Sequence, residues 1–206
     1  MYINNGRHSG WIEVICGPMF SGKTEELIRR LRLAQIAKQR IEIFKPALDT
    51  RYSEEHIESH DEQRFKCTPV PAASKILEAL GDHTRVVGVD EAQFFDASIV
   101  TVCQRLANRG IRVIVAGLDQ DYIGNPFGPM PSLMAVAESV LKLKAVCMVC
   151  GGLASRSQRL TRETSQVVLG AADHYEARCR ACFDPDLGSQ STEPLFNSAR
   201  RNEERE

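Results

Sequence analysis

Three groups of residues in this chain have the types and spacing to do chemistry. The first is Gly17-Pro18-Met19-Phe20-Ser21-Gly22-Lys23-Thr24, which reads G-x-x-x-x-G-K-T, the pattern of a phosphate-wrapping P-loop. Its glycines let the backbone approach phosphate closely. Successive N–H groups and the start of the following helix supply positive potential. Lys23 has the reach for terminal phosphates, and the Thr24 hydroxyl can ligate Mg²⁺. The flanks agree with the motif: Trp11 to Cys16 alternates and is β-rich, and Glu25 to Leu31 has helical character. The plainer alternative is a glycine turn capping a helix, with Lys23 solvated; the match of motif and flanks argues against it.

The second group is Asp90-Glu91. Val86-Val87-Gly88-Val89-Asp90 is an apolar run ending in Asp, the arrangement with which P-loop enzymes hold Mg²⁺. Adjacent residues at a strand end point in different directions. Asp90 can therefore face the metal, usually through water, while Glu91 faces an acceptor and takes a hydroxyl proton. A solvated acidic turn is the alternative.

The third is a cysteine quartet. Cys147-Met148-Val149-Cys150 and Cys179-Arg180-Ala181-Cys182 are two C-x-x-C knuckles separated by 28 residues, a gap compatible with an intervening hairpin. Four thiolates match tetrahedral Zn²⁺, which would staple a small lobe that lacks a core of its own. Disulfides are the rival reading, disfavoured in a reducing compartment. Cys16, Cys67 and Cys103 sit in apolar surroundings and are read as core.

These groups need a scaffold. Leu27, Leu31 and Ala34 mark one face of a helix running to about Gln39. A strand over 40–45 ends at Pro46, and residues 49–64 are polar without a clear period. A helix around Ile76 to Leu80, a buried strand over 85–89, a helix from a cap at Asp96 to about Asn108 and a buried strand over 111–116 follow. After a turn-rich loop around Asn125 to Pro131, a helix over 132–140 and a strand over 143–146 are expected. Strands alternating with helices predict an α/β fold, a mostly parallel P-loop sheet with helices on both faces. Ligands in such sheets bind at the carboxyl ends of the strands, where Gly17, Asp90 and Gly117 all fall. The predicted organisation is a flexible tail over 1–10, a P-loop α/β domain over 11–146, a zinc-ribbon-like β lobe over 147–183 and a disordered tail over 184–206.

Composition narrows the function. With 206 residues, 43% hydrophobic, the chain suits one domain with a small appendage. Lys and Arg number 26 against 27 Asp and Glu, so no strongly basic surface argues for nucleic-acid binding. No apolar run approaches a membrane span, and Met1 to Gly10 is polar without a signal-peptide core; both point to a cytoplasmic protein. Two classes fit a P-loop with a zinc lobe: a small-molecule kinase, and a P-loop ATPase whose zinc ribbon handles nucleic acid. The balanced charge favours the kinase, as does a zinc region whose basic residues are not interleaved with exposed aromatics.

Taken together, the segments resemble the type II, cytosolic-type thymidine kinase family from about Trp11 to Phe183. The carrying segments are the P-loop, Asp49-Thr50-Arg51-Tyr52, Asp90-Glu91-Ala92-Gln93-Phe94-Phe95, Ala116-Gly117-Leu118-Asp119, Pro126-Phe127-Gly128, the two knuckles and Tyr175. The resemblance implies transfer of the ATP γ-phosphate, with Mg²⁺, to the thymidine 5′-hydroxyl, in salvage of DNA precursors. It also implies a homotetramer, a structural Zn²⁺ and feedback inhibition by thymidine triphosphate, with no nucleic-acid or membrane partner. By position it implies Glu91 as general base, Asp90 and Thr24 on Mg²⁺, Lys23 and Arg51 near the phosphates, and Gln93 in a nucleotide-binding stretch. It implies a lasso loop from about Gly151 to Tyr175, with backbone groups near Gln166, Val168 and Gly170 on the pyrimidine edge. Phe94, Tyr122 and Phe127 would wall the base, and Met19, Leu118 and Tyr175 would surround its methyl; plain core packing is the alternative for these apolar residues. Two positions depart from the family pattern: Ser157 stands where Thr is common and Tyr122 where Phe is common.

Overall fold

The computed structural model describes residues 9–47, 56–58, 64–161 and 174–187. Six strands make one sheet: β1 (Trp11–Cys16), β2 (Ile41–Pro46), β5 (Thr68–Val70), β6 (Val86–Val89), β7 (Arg112–Gly117) and β8 (Ser139–Lys142). The order is β5-β2-β6-β7-β1-β8, and every neighbouring pair is parallel. A parallel sheet needs cover on both faces, and alternation along β1 supplies it. Ile12, Val14 and Cys16 face one core layer and Ile15 the other.

Helix α1 (Lys23–Ile36) covers one face with Leu27, Ile28, Leu31 and Ala34. Leu31 lies so close to Gly88 on β6 that a Cβ there would approach its methyls to 3.2 Å. Helices α2 (Ser74–Ala79), α3 (Ser98–Asn108) and α4 (Met130–Val136) lie on the other face, around Ile76, Ile99, Leu106, Met130 and Leu133. Asp96 opens α3, its carboxylate accepting the Ser98 N–H at 2.8 Å. Strands β3 (His56–Glu58) and β4 (Arg64–Lys66) form a small antiparallel ladder in the polar stretch where no period was legible.

The small lobe holds two ladders: β9 (Ala145–Val146) with β10 (Leu153–Ala154), and β11 (Arg156–Arg159) with β12 (Tyr175–Arg178). Among the described residues, its apolar cluster is Ala145, Cys147, Ala154 and Ala177, packed against Cys179 and Cys182. Asp184 belongs to the same hydrogen-bonded unit, because the Gln158 amide donates to its carbonyl at 2.8 Å and accepts its N–H at 2.9 Å.

Several element boundaries differ from the sequence expectation. Helix α1 stops at Ile36, short of Gln39, because Lys38 turns left-handed (φ 56°) and the Gln39 N–H closes back on the Ala34 carbonyl. The strand over 40–45 runs on through Pro46, whose register partner on β5 is Val70. The helix expected over 132–140 is α4, shifted to 130–136; Pro131 is tolerated in its first turn, and Ala137 is already extended. Residues 139–142 then pair with β1 rather than continuing the helix, and the single strand expected over 143–146 becomes β9 of the lobe.

Candidate active site

The P-loop joins β1 to α1 and takes its shape from backbone that other residues resist. Gly17 (φ 145°) and Gly22 (φ 80°) occupy positive-φ positions, and a Cβ on Gly17 would meet the Leu143 carbonyl at 2.7 Å. Phe20 is itself left-handed (φ 63°) and about half exposed, so its ring is not part of the core. The Ser21 hydroxyl and the Lys23 ammonium both donate to the Pro18 carbonyl, at 2.8 and 2.7 Å. Burial pulls Lys23 below its ordinary pKa, while the charges of Glu91, Asp90 and Asp119 pull the other way. Three acidic residues from two strand ends thus bear on one half-buried cation.

Asp90, at the end of β6, is buried, with its carboxylate fixed by two donors. The Glu91 N–H reaches Oδ1 at 3.0 Å and the Thr24 hydroxyl reaches Oδ2 at 3.4 Å. Burial, reinforced by the negative charge of Glu91, pushes Asp90 up to about 7. A buried carboxylate this crowded, with a P-loop hydroxyl beside it, is a site a cation would relieve. The Asp90–Thr24 pair is therefore a donor set of the kind Mg²⁺ takes.

Glu91 adopts the left-handed conformation (φ 51°, ψ 39°) before the 3-10 turn Ala92–Phe94. Such strain in a non-glycine residue costs on the order of 1 kcal/mol and tends to mark functional turns. Gln93 explains how it is held. Its amide N–H donates to Glu91 Oε2, and its carbonyl accepts the Leu118 N–H at 2.9 Å. Gln93 is buried and ties the Glu91 carboxylate to the end of β7. Two glycines keep this space open: a Cβ on Gly117 would strike Gln93 Oε1 at 2.8 Å, and one on Gly128 would strike the Gln93 carbonyl at 2.4 Å.

The aromatic residues divide into two groups. Phe94 and Phe127 meet edge to face at 5.5 Å, with Phe127 buried. Tyr122 and Tyr175 are brought together by Arg159, a residue the sequence reading did not single out. Arg159 is buried, its guanidinium lies 3.5 Å over the Tyr122 ring, and its Nε and Nη2 donate to the Tyr175 hydroxyl at 3.0 and 2.6 Å. Ser157 does not stand alone as a base-side residue: its buried hydroxyl accepts the Met19 N–H at 2.9 Å and joins the lobe to the P-loop. Asp119, quoted in the sequence only within a family segment and given no role there, is buried and ion-paired to Lys142 beside the loop. A bare Asp after a buried strand carries no local signal that would separate it from a turn residue. Arg51, Gln166, Val168 and Gly170 lie outside the described residues.

The four knuckle cysteines converge. One sulfur from each of Cys147, Cys150, Cys179 and Cys182 lies within 4.8 Å of the others, and Cys150 and Cys179 are 3.7 Å apart. Backbone N–H groups of Cys179, Cys150 and Val149 draw Cys147 down to about 6, while its thiol neighbours, Cys179 first, push Cys182 up to about 12. Four sulfurs this close cannot all ionise without a cation among them, and a closed Cys₄ set is the donor set of structural zinc. All seven cysteines are free thiols. Among the described residues, no helix is long and apolar enough to cross a membrane.

Comparison with known proteins converges on one family. A family model described as "Thymidine kinase" matches residues 10–183. A thymidine kinase of Rhodothermus sp. is 64% identical over 185 residues, covering 90% of this chain and 86% of that protein. Thymidine kinases of Bacteroides thetaiotaomicron and Bacteroides fragilis are 56% and 54% identical, covering 88% and 90% of this chain and 91% and 93% of those proteins. With the match spanning the P-loop, the Asp90-Glu91 pair and the cysteine quartet alike, the chain belongs to the thymidine kinase family and is a nucleoside kinase.

Proposed function

We propose that the chain transfers the γ-phosphate of ATP to the 5′-hydroxyl of thymidine, giving thymidine monophosphate and ADP. The observation that carries this is the meeting of Lys23, Thr24, Asp90 and Glu91 at the carboxyl ends of β1 and β6, in a chain of this family. Residues 17–22 would wrap the β- and γ-phosphates, with Lys23 and Arg51 offsetting charge as it spreads over the transferring group. Thr24 and Asp90 would hold Mg²⁺, which supplies charge neutralisation at the phosphates when bound. Glu91 takes the proton of the 5′-hydroxyl as that oxygen attacks in line. The new O–P bond forms as the γ–β bridging bond breaks, and ADP leaves with its electron pair.

Gln93 acts here through Glu91, holding the base rather than touching nucleotide. Phe94, Tyr122 and Phe127 wall the pyrimidine; Met19, Leu118 and Tyr175 meet its methyl; backbone near Gln166, Val168 and Gly170 reads its edge. Zn²⁺ on Cys147, Cys150, Cys179 and Cys182 holds the lobe from which that loop springs. The same reading extends to a homotetramer in the cytoplasm, inhibited by thymidine triphosphate.

The test is a phosphate-transfer assay with ATP-Mg²⁺ and thymidine, deoxyuridine, deoxycytidine or deoxyadenosine, with and without thymidine triphosphate. Thymidine-selective turnover suppressed by the triphosphate is expected. ATP hydrolysis stimulated by DNA, with no nucleoside phosphorylated, would overturn the reading in favour of a nucleic-acid ATPase.

A further inference from the structure

The end of the sheet opposite the P-loop holds a second feature that phosphoryl transfer does not use. A cavity of about 530 Å³ opens at the amino ends of four adjacent strands, with Trp11, Lys38, Arg40, His83, Arg85 and Arg112 in its lining. No carboxylate lines it. Of its cations, Arg112 is balanced by Glu13 at 2.7 Å, but among the described residues no ion pair joins Lys38, Arg40 or Arg85 to an acid. Lys38 follows the end of α1, where a cation is favoured by the helix dipole alone. Arg40 and Arg85 have no such reason, since they immediately precede strands β2 and β6.

Their placement is fixed by backbone. The Arg85 N–H donates to the Arg40 carbonyl at 2.9 Å, and the Arg112 N–H donates to the Arg85 carbonyl at 3.0 Å. Arg40 and Arg85 therefore share one register position, immediately before β2 and β6, and Arg112 opens β7 one residue further on, in register with Trp11 on β1. The unbalanced charges of Lys38, Arg40 and Arg85 around one cavity repel one another, and a multivalent anion relieves that repulsion. Guanidinium forks match phosphate oxygens in charge and geometry. A cavity of this volume accommodates a di- or triphosphate, with or without an attached nucleoside. The length of β1, roughly 17–20 Å for six residues, separates it from the P-loop, so one ligand cannot fill both.

We propose that this cavity is a second, non-catalytic site for a di- or triphosphate group. The test is calorimetric titration of the full-length protein with inorganic tripolyphosphate in the absence of Mg²⁺. Two equivalents bind per chain. The Arg40→Gln/Arg85→Gln variant weakens one of them at least tenfold and leaves phosphoryl transfer unchanged in the absence of tripolyphosphate; Lys23→Ala removes the other. The substituted side chains are exposed. Should the double variant fail to fold by circular dichroism, Lys38→Gln repeats the test with a smaller weakening. Titration with ATP distinguishes the sources: tighter binding than tripolyphosphate at this site assigns it to a nucleotide, and equal binding to the phosphate group alone. A single equivalent per chain that disappears in Lys23→Ala overturns the proposal. So does a second equivalent that survives Arg40→Gln/Arg85→Gln unweakened.

Discussion

The hydroxyl of Ser157 accepts the backbone N–H of Met19 at 2.9 Å across 138 residues of sequence, so the cysteine-bearing lobe is hydrogen-bonded directly to the P-loop. A buried N–H left without a partner costs about 1–3 kcal/mol. Ser157→Ala is expected to lower kcat/KM by roughly tenfold through a disturbed loop, whereas Ser157→Thr keeps the hydroxyl and near-normal turnover. Steady-state kinetics on both variants checks this; equal activity of Ala and Thr variants would show that the bond does not position the loop.

The carboxylate of Glu91 is predicted to be the base and Gln93 its support. Glu91→Gln is expected to reduce kcat by about 10²–10⁴-fold with nucleotide binding nearly intact. Gln93→Leu, which frees the Glu91 carboxylate, is expected to reduce kcat by a smaller factor with little change in the KM for ATP. A Gln93 variant that raises the KM for ATP while sparing kcat would instead make Gln93 a nucleotide contact.

Arg159 is predicted to position the nucleoside side of the site through Tyr122 and Tyr175. Arg159→Lys keeps the charge but loses the planar fork that stacks on one ring while donating to the other residue's hydroxyl. Its KM for the nucleoside is expected to rise roughly tenfold with the KM for ATP unchanged. A parallel rise in both would mean a general loss of folding rather than a positioning role.

Metal removal should act at a distance. The lobe's small apolar cluster cannot hold it together alone, so one Zn²⁺ per chain is expected by elemental analysis. Cys179→Ser or prolonged chelation should release the metal, expose the lobe to protease and abolish nucleoside phosphorylation, because Ser157, Arg159 and Tyr175 lose their placement together. Metal-free protein with full activity would contradict this.

Stability should carry a pH signature from Glu13. Burial would raise its pKa, yet hydrogen bonds from Arg112 and Trp11, then Arg30, hold it below the ordinary carboxylate value. A depressed folded pKa contributes stability present above the unfolded value near 4.5 and lost as pH falls through the folded one. Glu13→Gln leaves Arg30 and Arg112 without their shared anion, and should cost about 3 kcal/mol at pH 7. The deficit should shrink below pH 4. Denaturant unfolding of both proteins at pH 7 and pH 3.5 measures the difference; a deficit independent of pH would exclude the ionic origin.

Much of this protein was legible in its residues because its chemistry is written locally. The P-loop needs eight consecutive residues, the acidic pair two, and each zinc knuckle four, so type and spacing sufficed to read them. The parallel α/β sheet followed from strands alternating with helices, and the first strand was bounded correctly because it is β-rich and runs directly into the P-loop glycine. Where the period was short or ambiguous, local reading failed. Residues 139–142 continue an apolar pattern compatible with a helix, and only the open edge of β1 makes them a strand. The β3–β4 ladder has only three residues to a strand, too few for a period to show, although Phe65 packs against the core. Contacts between distant segments left no mark in the sequence at all. That Ser157 meets Met19, that Gln93 spans from Glu91 to Leu118, and that Arg159 lies between two tyrosines depends on how the lobe and the strand ends come together in space. The chain order by itself determined which groups could act; only tertiary packing decided which of them hold one another in place, because a hydrogen bond is set by distance in space and not by separation along the chain.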